Sequence, residues 1–295
     1  MPTPASAPPR YDCAFSGDGK LFATIDKSQE KVMLVETETG KLLWTSPPTG
    51  QRIIHVHLSS DGKRLLFAGH FRIPGEERKA VPYKCRYHVW DTQKKELVHS
   101  AELPRGCLSW TINHDGSRIA AALFKRGTKD TDELAVFLVN EQGRQLFAQP
   151  FNLNRCLSLA FSPDGKHLAG CNFDPLKNWV SLRDAETGLE QFKAQSVFES
   201  TYVTFTPDSR RVVVTGYDSN AILFDTKTGF EVLTLKHHGT PRHNDYALSP
   251  KLAFSQDGTK LAVHSWDASV TIWHAYGSDV IDPLKLLPKI RNLDH

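Results

Sequence analysis

The chain has 295 residues, 40% of them hydrophobic and 23% charged, enough for a sizeable core in one large or two ordinary domains. Its 36 lysines and arginines against 33 acidic residues leave a formal charge of +3, which excludes the broad basic footprint of a non-specific nucleic-acid binder. Five cysteines with no CxxC pair exclude a dense disulfide framework and point to a reducing, cytoplasmic setting.

Residues 1–10, MPTPASAPPR, have no apolar h-region, and their prolines predict an extended leader or linker. No stretch of the chain reaches the roughly 18 apolar residues of a membrane span. From residue 11 to residue 295 one unit recurs. It begins with an alternating apolar strand. Cys13, Val56, Trp110, Leu159, Val203 and Leu252 stand five residues before an aspartate, and Phe15, Leu58, Ile112, Phe161, Phe205 and Phe254 stand three before it. The aspartate opens a tight turn: GDGK at Asp18, SDGK at Asp61, HDGS at Asp115, PDGK at Asp164, PDSR at Asp208 and QDGT at Asp257, spaced 43 to 54 residues apart. Asp initiates such turns through its own side chain and Gly accepts the positive φ, so six copies mark scaffold and not six active sites.

A second apolar strand follows each turn (LFATI, LLFAG, IAAAL, LAGCN, VVVTG, LAVHS), then a third (VMLVE, YHVWD, AVFLVN, WVSLRD, AILFD, VTIWH). Polar turns such as ETETGK and TKTGF lead into a fourth, as in KLLWT or EVLTL. The periodicity is that of strands, with no long amphipathic helix between them. A single four-stranded meander cannot bury both faces, whereas meanders arranged radially bury each face against a neighbour. The expected fold is therefore all-β, a β-propeller of four-stranded antiparallel blades with six visible repeats, or seven if the chain belongs to a longer ring.

The period, the meander and the recurring SPDG…W/F-D…TG pattern resemble the WD40-repeat family from residue 11 to about residue 290. Trp90-Asp91 is a literal WD pair, Arg183-Asp184 and Phe224-Asp225 keep the aspartate, and Trp273-His274 keeps the tryptophan. Asp26, Asp218 and Asp267 occupy the family's turn between strands two and three. Family repeats carry a Gly-His pair before strand one, whose histidine joins the turn aspartate and the tryptophan in a hydrogen-bond network; here Gly69-His70 stands after a second strand. Turns and apolar columns are thus expected to hold most blades together. The resemblance implies a non-catalytic scaffold without a cofactor, a monomer or a subunit of a hetero-complex, whose partner is a protein or peptide and not a membrane or a specific nucleic acid.

Departures from the repeat indicate where such a partner would sit. HFRIPGEERKAVPYKCR (70–86), KRGTKDTDE (125–133) and NFDPLKN (172–178) join strands two and three, and KHHGTPRHNDYALSP (236–250) joins a fourth strand to the next first strand. In a propeller these connections share one face, and loops on a rigid scaffold are where binding concentrates. The candidate contact residues are Arg72, Arg78, Tyr83, Arg86, Lys125, Arg126, His238, Arg242, His243 and Tyr246, rich in the Arg and Tyr that anchor interfaces.

Chemistry-bearing patterns are sparse. His237, His238 and His243 share a loop, and His55 and His57 share a strand face by the two-residue period. Cys171 and Asp245 are the possible additional ligands, the spacing specifies no complete set, and no metal is expected. There is no G-x-S-x-G, P-loop or GxGxxG motif, and no cysteine carries a local signature coupling it to a base. Cys107 and Cys156 hold equivalent repeat positions, which predicts packing. An enzyme alternative comes from ETETGKLLWT (36–45), which resembles the D-x-x-T-G-x-x-L-W repeat of quinoprotein propellers and would imply a quinone cofactor. A lactonase-like propeller is the other catalytic option.

Overall fold

The computed structural model describes residues 12–72, 83–103, 107–123, 133–138, 145–150, 156–172, 178–196, 200–216, 220–236, 252–255, 257–264 and 270–274. Every regular element among them is a strand. The first blade is β1 (Cys13–Phe15), β2 (Leu21–Ile25), β3 (Val32–Glu36) and β4 (Leu42–Thr45), and the second is β5 (Arg52–Leu58), β6 (Arg64–Arg72), β7 (Tyr83–Asp91) and β8 (Glu96–Leu103). The third comprises β9 (Cys107–Ile112), β10 (Arg118–Leu123), β11 (Glu133–Leu138) and β12 (Gln145–Pro150), and the fourth β13 (Cys156–Phe161), β14 (His167–Asn172), β15 (Asn178–Asp184) and β16 (Glu190–Ser196). The fifth is β17 (Ser200–Phe205), β18 (Arg211–Gly216), β19 (Ala221–Asp225) and β20 (Glu231–Leu235). The sixth shows β21 (Leu252–Phe254), β22 (Lys260–His264) and β23 (Val270–His274) among the described residues. Each sheet is antiparallel in chain order, and the first strands lie side by side, β1 with β5, β5 with β9, β9 with β13 and β13 with β17. This is a six-bladed β-propeller whose first strands surround the axis.

Five of the six acidic turns are built alike, the third having Asn113 where the others have a hydroxyl. Asp18 Oδ1 accepts the Ser16 hydroxyl at 2.7 Å and the Lys20 amide at 3.0 Å, while Ser16 Oγ accepts the Leu21 amide at 2.9 Å. Ser59 with Asp61, Ser162 with Asp164, Thr206 with Asp208 and Ser255 with Asp257 repeat the hydroxyl-to-carboxylate bond at 2.6–2.7 Å. Five turns place glycine in the left-handed region; the PDSR turn forces Ser209 there at φ 62°. That strain, of the order of 1–2 kcal/mol, is offset by the Ser209 hydroxyl, which accepts the Asp164 amide of the preceding blade at 3.0 Å.

Between blades the apolar columns meet. Ala23, Ile25, Val32 and Leu34 of the first blade pack on Ile53, Val56, Leu58, Leu65 and Phe67 of the second. Tyr87 and Trp110, both fully buried, touch across the second and third with ring centroids 5.2 Å apart. Equivalent clusters join the third to the fourth, the fourth to the fifth and the fifth to the sixth. No such cluster joins the sixth blade to the first among the described residues, where Phe15, Val270 and Ile272 are exposed.

Candidate functional site

Antiparallel meanders put the tight turns between strands one and two, and three and four, on one face, and the remaining connections on the other. The hydrogen-bonded acidic turns make the first face uniform. Of the candidate contacts, Arg78, Lys125, Arg126, His238, Arg242, His243 and Tyr246 lie outside the described residues. Arg72, Tyr83 and Arg86 are strand residues and not loop residues, a correction to the sequence expectation. β6 and β7 pair for nine residues each, so the ladder runs from Arg64–Asp91 to Arg72–Tyr83 and shortens the connection to residues 73–82.

Arg86 is the candidate contact whose side chain is described. Its Nη2 donates to Glu102 Oε1 on β8. Its Nη1 reaches the Thr49 carbonyl at 3.5 Å, and its guanidinium lies 4.4 Å from the centre of the Phe71 ring. The Arg86 hydrogen bond and charge hold the Glu102 carboxyl below its ordinary value. Two strand positions away, burial foremost and then the Arg86 charge push the His88 imidazole down to about 4. Arg86 therefore presents a charge that is oriented by a carboxylate and an aromatic face and still partly open to solvent.

Behind it sits a group that sequence reasoning missed. His70 on β6 pairs across the ladder with Cys85 on β7, and its Nε2 is 3.1 Å from the carbonyl of Cys107 on β9. Gly69 makes this possible: a Cβ there would stand 2.2 Å from the Arg52 carbonyl oxygen, next to the bulge between Ile53 and His55. The Cys107 side chain bonds Cys85 and, with His70, draws the Cys85 thiol well below its ordinary range against the penalty of burial. Burial pulls His70 down, but Cys85 and the Cys107 carbonyl outweigh it and raise the imidazole. The two shifts run in opposite directions, as expected for a thiol and an imidazole that face each other across a ladder. The sequence expectation concerned local signatures, and His70 is instead a cross-strand neighbour of Cys85. Cys107 and Cys156 are buried, as packing predicts.

A second cluster lies where the first strands of the first and second blades meet. Asp12, immediately before β1, sends Oδ2 to the Val56 amide on β5 at 3.0 Å and to within 3.8 Å of His55 Nδ1. The His55 and His57 rings stack with centroids 6.4 Å apart and planes inclined by 21°. One donor atom from each of Asp12, His55 and His57 lies within 4.8 Å of the others, and all three side chains are half-buried. This is the one grouping of three such donors among the described residues, and Asp12 is the member absent from the sequence expectation.

The WD pair does not form the network that the family resemblance implies. Trp90 stacks on Trp44 of the first blade at 4.8 Å, its indole N–H finds no hydrogen-bond partner, and Asp91 instead binds Arg64 at 2.6 Å. Fold and site together define a six-bladed propeller with one uniform and one variable face. No protein-family model and no curated protein matches the chain. Among solved structures it resembles Kuenenia stuttgartiensis hydrazine synthase, with a TM-score of 0.68 and 18% identity over 93% of this chain and 79% of that one. At that identity the likeness is one of fold. No helix among the described residues is long and apolar enough to cross a membrane.

Proposed function

We propose that the chain is a degenerate WD40-like propeller that acts as a non-catalytic platform, holding a protein or peptide partner on the face that carries its variable connections. The observation behind this reading is the contrast between one face closed by repeated hydrogen-bonded turns and the end of the β6–β7 ladder, where Arg86 lies against Phe71 and Glu102. Arg on an aromatic face, oriented but still hydratable, suits an acidic or aromatic-bearing segment.

A propeller enzyme is the second reading, favoured by the His70–Cys85 pair and by the fold's likeness to hydrazine synthase, whose name is that of an enzyme. Cys85 is 0% exposed, so a substrate carbon cannot approach its sulfur without opening the interface between two blades. The platform reading is preferred on that ground.

Replacing residues 73–82 by a two-residue turn tests it. Partners would be captured on the wild type and on the shortened chain, with cross-linking and mass spectrometry to locate the contacts. The shortened chain is expected to unfold at the wild-type temperature and to lose about tenfold or more in capture, with wild-type cross-links on the variable face. Undiminished capture, or cross-links concentrated on the acidic turns, refutes the platform as placed here.

A further inference from the structure

We propose that Asp12, His55 and His57 form a binding site for a borderline divalent transition-metal ion, zinc foremost, on the axial wall between the first and second blades. The donor set is two imidazoles and one carboxylate, which matches zinc and its neighbours in the first transition row and leaves a coordination position for water. Ligand atoms around zinc stand roughly 3–3.5 Å apart. The donors here lie within 4.8 Å of one another, with His55 Nδ1 already 3.8 Å from Asp12 Oδ2. Small side-chain rotations close the remaining gap. The Val56 amide fixes the carboxylate, the kind of supporting hydrogen bond that orients a metal ligand.

The repeat supplies an independent argument. Asp12 and His55 stand six residues before their turn aspartates, where later blades have Ser109, Ser158 and Tyr202; His57 stands four before, where others have Thr111, Ala160, Thr204 and Ala253. In the fourth blade Ser158 performs the structural task of Asp12, its hydroxyl accepting the Val203 amide of the next first strand at 3.2 Å. Joining neighbouring blades therefore needs a hydroxyl and nothing more. The carboxylate and the two imidazoles exceed what the scaffold requires, and they occur at one blade junction where all three donors converge.

The test uses the full chain, stripped with a chelator and titrated with Co²⁺, followed by visible absorption, then with Zn²⁺ as competitor. One equivalent of Co²⁺ is expected to bind saturably and to be displaced by Zn²⁺. Asp12→Ser and His57→Thr install residues that other blades use at these positions, so both are expected to keep the wild-type unfolding temperature while binding Co²⁺ about tenfold more weakly or worse. His55→Gln serves as a third variant should either fail to fold. Absence of saturable Co²⁺ absorption in the wild type overturns the site. So does wild-type affinity in the folded variants, which would place the ion on other histidines such as His237, His238 and His243.

Discussion

Arg183 and Glu190 make opposite substitutions unequal. Arg183 occupies the place of the family tryptophan on β15, with its side chain 3% exposed, and its Nη2 lies 3.2 Å from Oε2 of Glu190, whose side chain is 31% exposed. Nη1 also donates to the Gly188 carbonyl at 2.9 Å, and the buried Ser181 hydroxyl donates to the same Glu190 oxygen at 3.0 Å. Burial foremost lowers the guanidinium's pKa and Glu190 opposes the shift, yet an arginine remains charged at neutral pH. Glu190→Ala therefore removes the carboxylate that faces a buried cation and deprives Ser181 of its Glu190 acceptor. Breaking a buried pair from one side costs about 3–5 kcal/mol; the partial exposure of Glu190 lets water solvate the gap and reduces this to about 2–3 kcal/mol. Arg183→Leu removes the cation itself, leaves a carboxylate that water can reach, and puts an apolar side chain where other blades have Trp90, Phe224 and Trp273. It is expected to fall within about 1 kcal/mol of wild type. Urea unfolding followed by circular dichroism and tryptophan fluorescence gives both values. A Glu190→Ala chain as stable as wild type, or an Arg183→Leu chain less stable than Glu190→Ala, refutes the reasoning.

Two further outcomes are expected from titration and thiol chemistry. Hydrogen bonds from Ser16 and Ser255 lead the causes holding Asp18 below its ordinary value and Asp257 at about 2; at Asp61, Asp115 and Asp164 burial is the largest single cause and raises the pKa, but turn hydrogen bonds together outweigh it. A carboxylate depressed on folding stabilises above its unfolded pKa, about 4, and that contribution disappears as pH falls through the folded value. The melting temperature should thus fall steeply between about pH 4 and about pH 2, and an equal fall between pH 7 and pH 5 would contradict the assignment. Of the five free thiols, Cys13 is exposed and Cys85, Cys107, Cys156 and Cys171 are buried. Ellman's reagent at neutral pH should modify one thiol quickly and the other four on unfolding; a second fast thiol would mean that a blade interface opens in the native state.

The blades were legible in the sequence because what makes them is local. Each acidic turn closes through hydrogen bonds between residues no more than five apart, as from Leu21 to Ser16, and the period-two columns then place Val56, Trp110 and Val203 at the blade interfaces. The PDSR turn was legible despite lacking glycine because Asp208 still organises it: Thr206 and the Arg210 amide donate to one carboxylate oxygen. The extent of β6 and β7 was not legible. HFRIPGEERKAVPYKCR carries the prolines, glycine and charges of a loop, yet its ends continue the ladder to Arg72 and Tyr83, since tertiary pairing overrides local composition at strand ends.

The two chemical clusters were incomplete in the sequence for a different physical reason. His70 meets Cys85 through cross-strand register over an insertion, and Cys107 joins from the next blade, so the contact follows once the insertion is known to close as a hairpin. Asp12 meets His55 and His57 through the packing of one blade on the next, from a residue that precedes the first strand and lies 43 positions from its repeat equivalent. Apolar columns reveal the interfaces because burial constrains them from the second blade to the fifth, as at Val56, Trp110, Leu159 and Val203. Positions six and four residues before the turn change chemistry from blade to blade: Ser109, Thr111 and Ser158 are buried and Ala14, Ala160 and Tyr202 pack against the cores, while Asp12 and Ser158 each accept an amide of the next first strand. These positions carry no shared apolar pattern, so a reading based on apolar columns passes over them. That tolerance of different polar groups lets one blade junction collect a carboxylate and two imidazoles within the propeller that holds them.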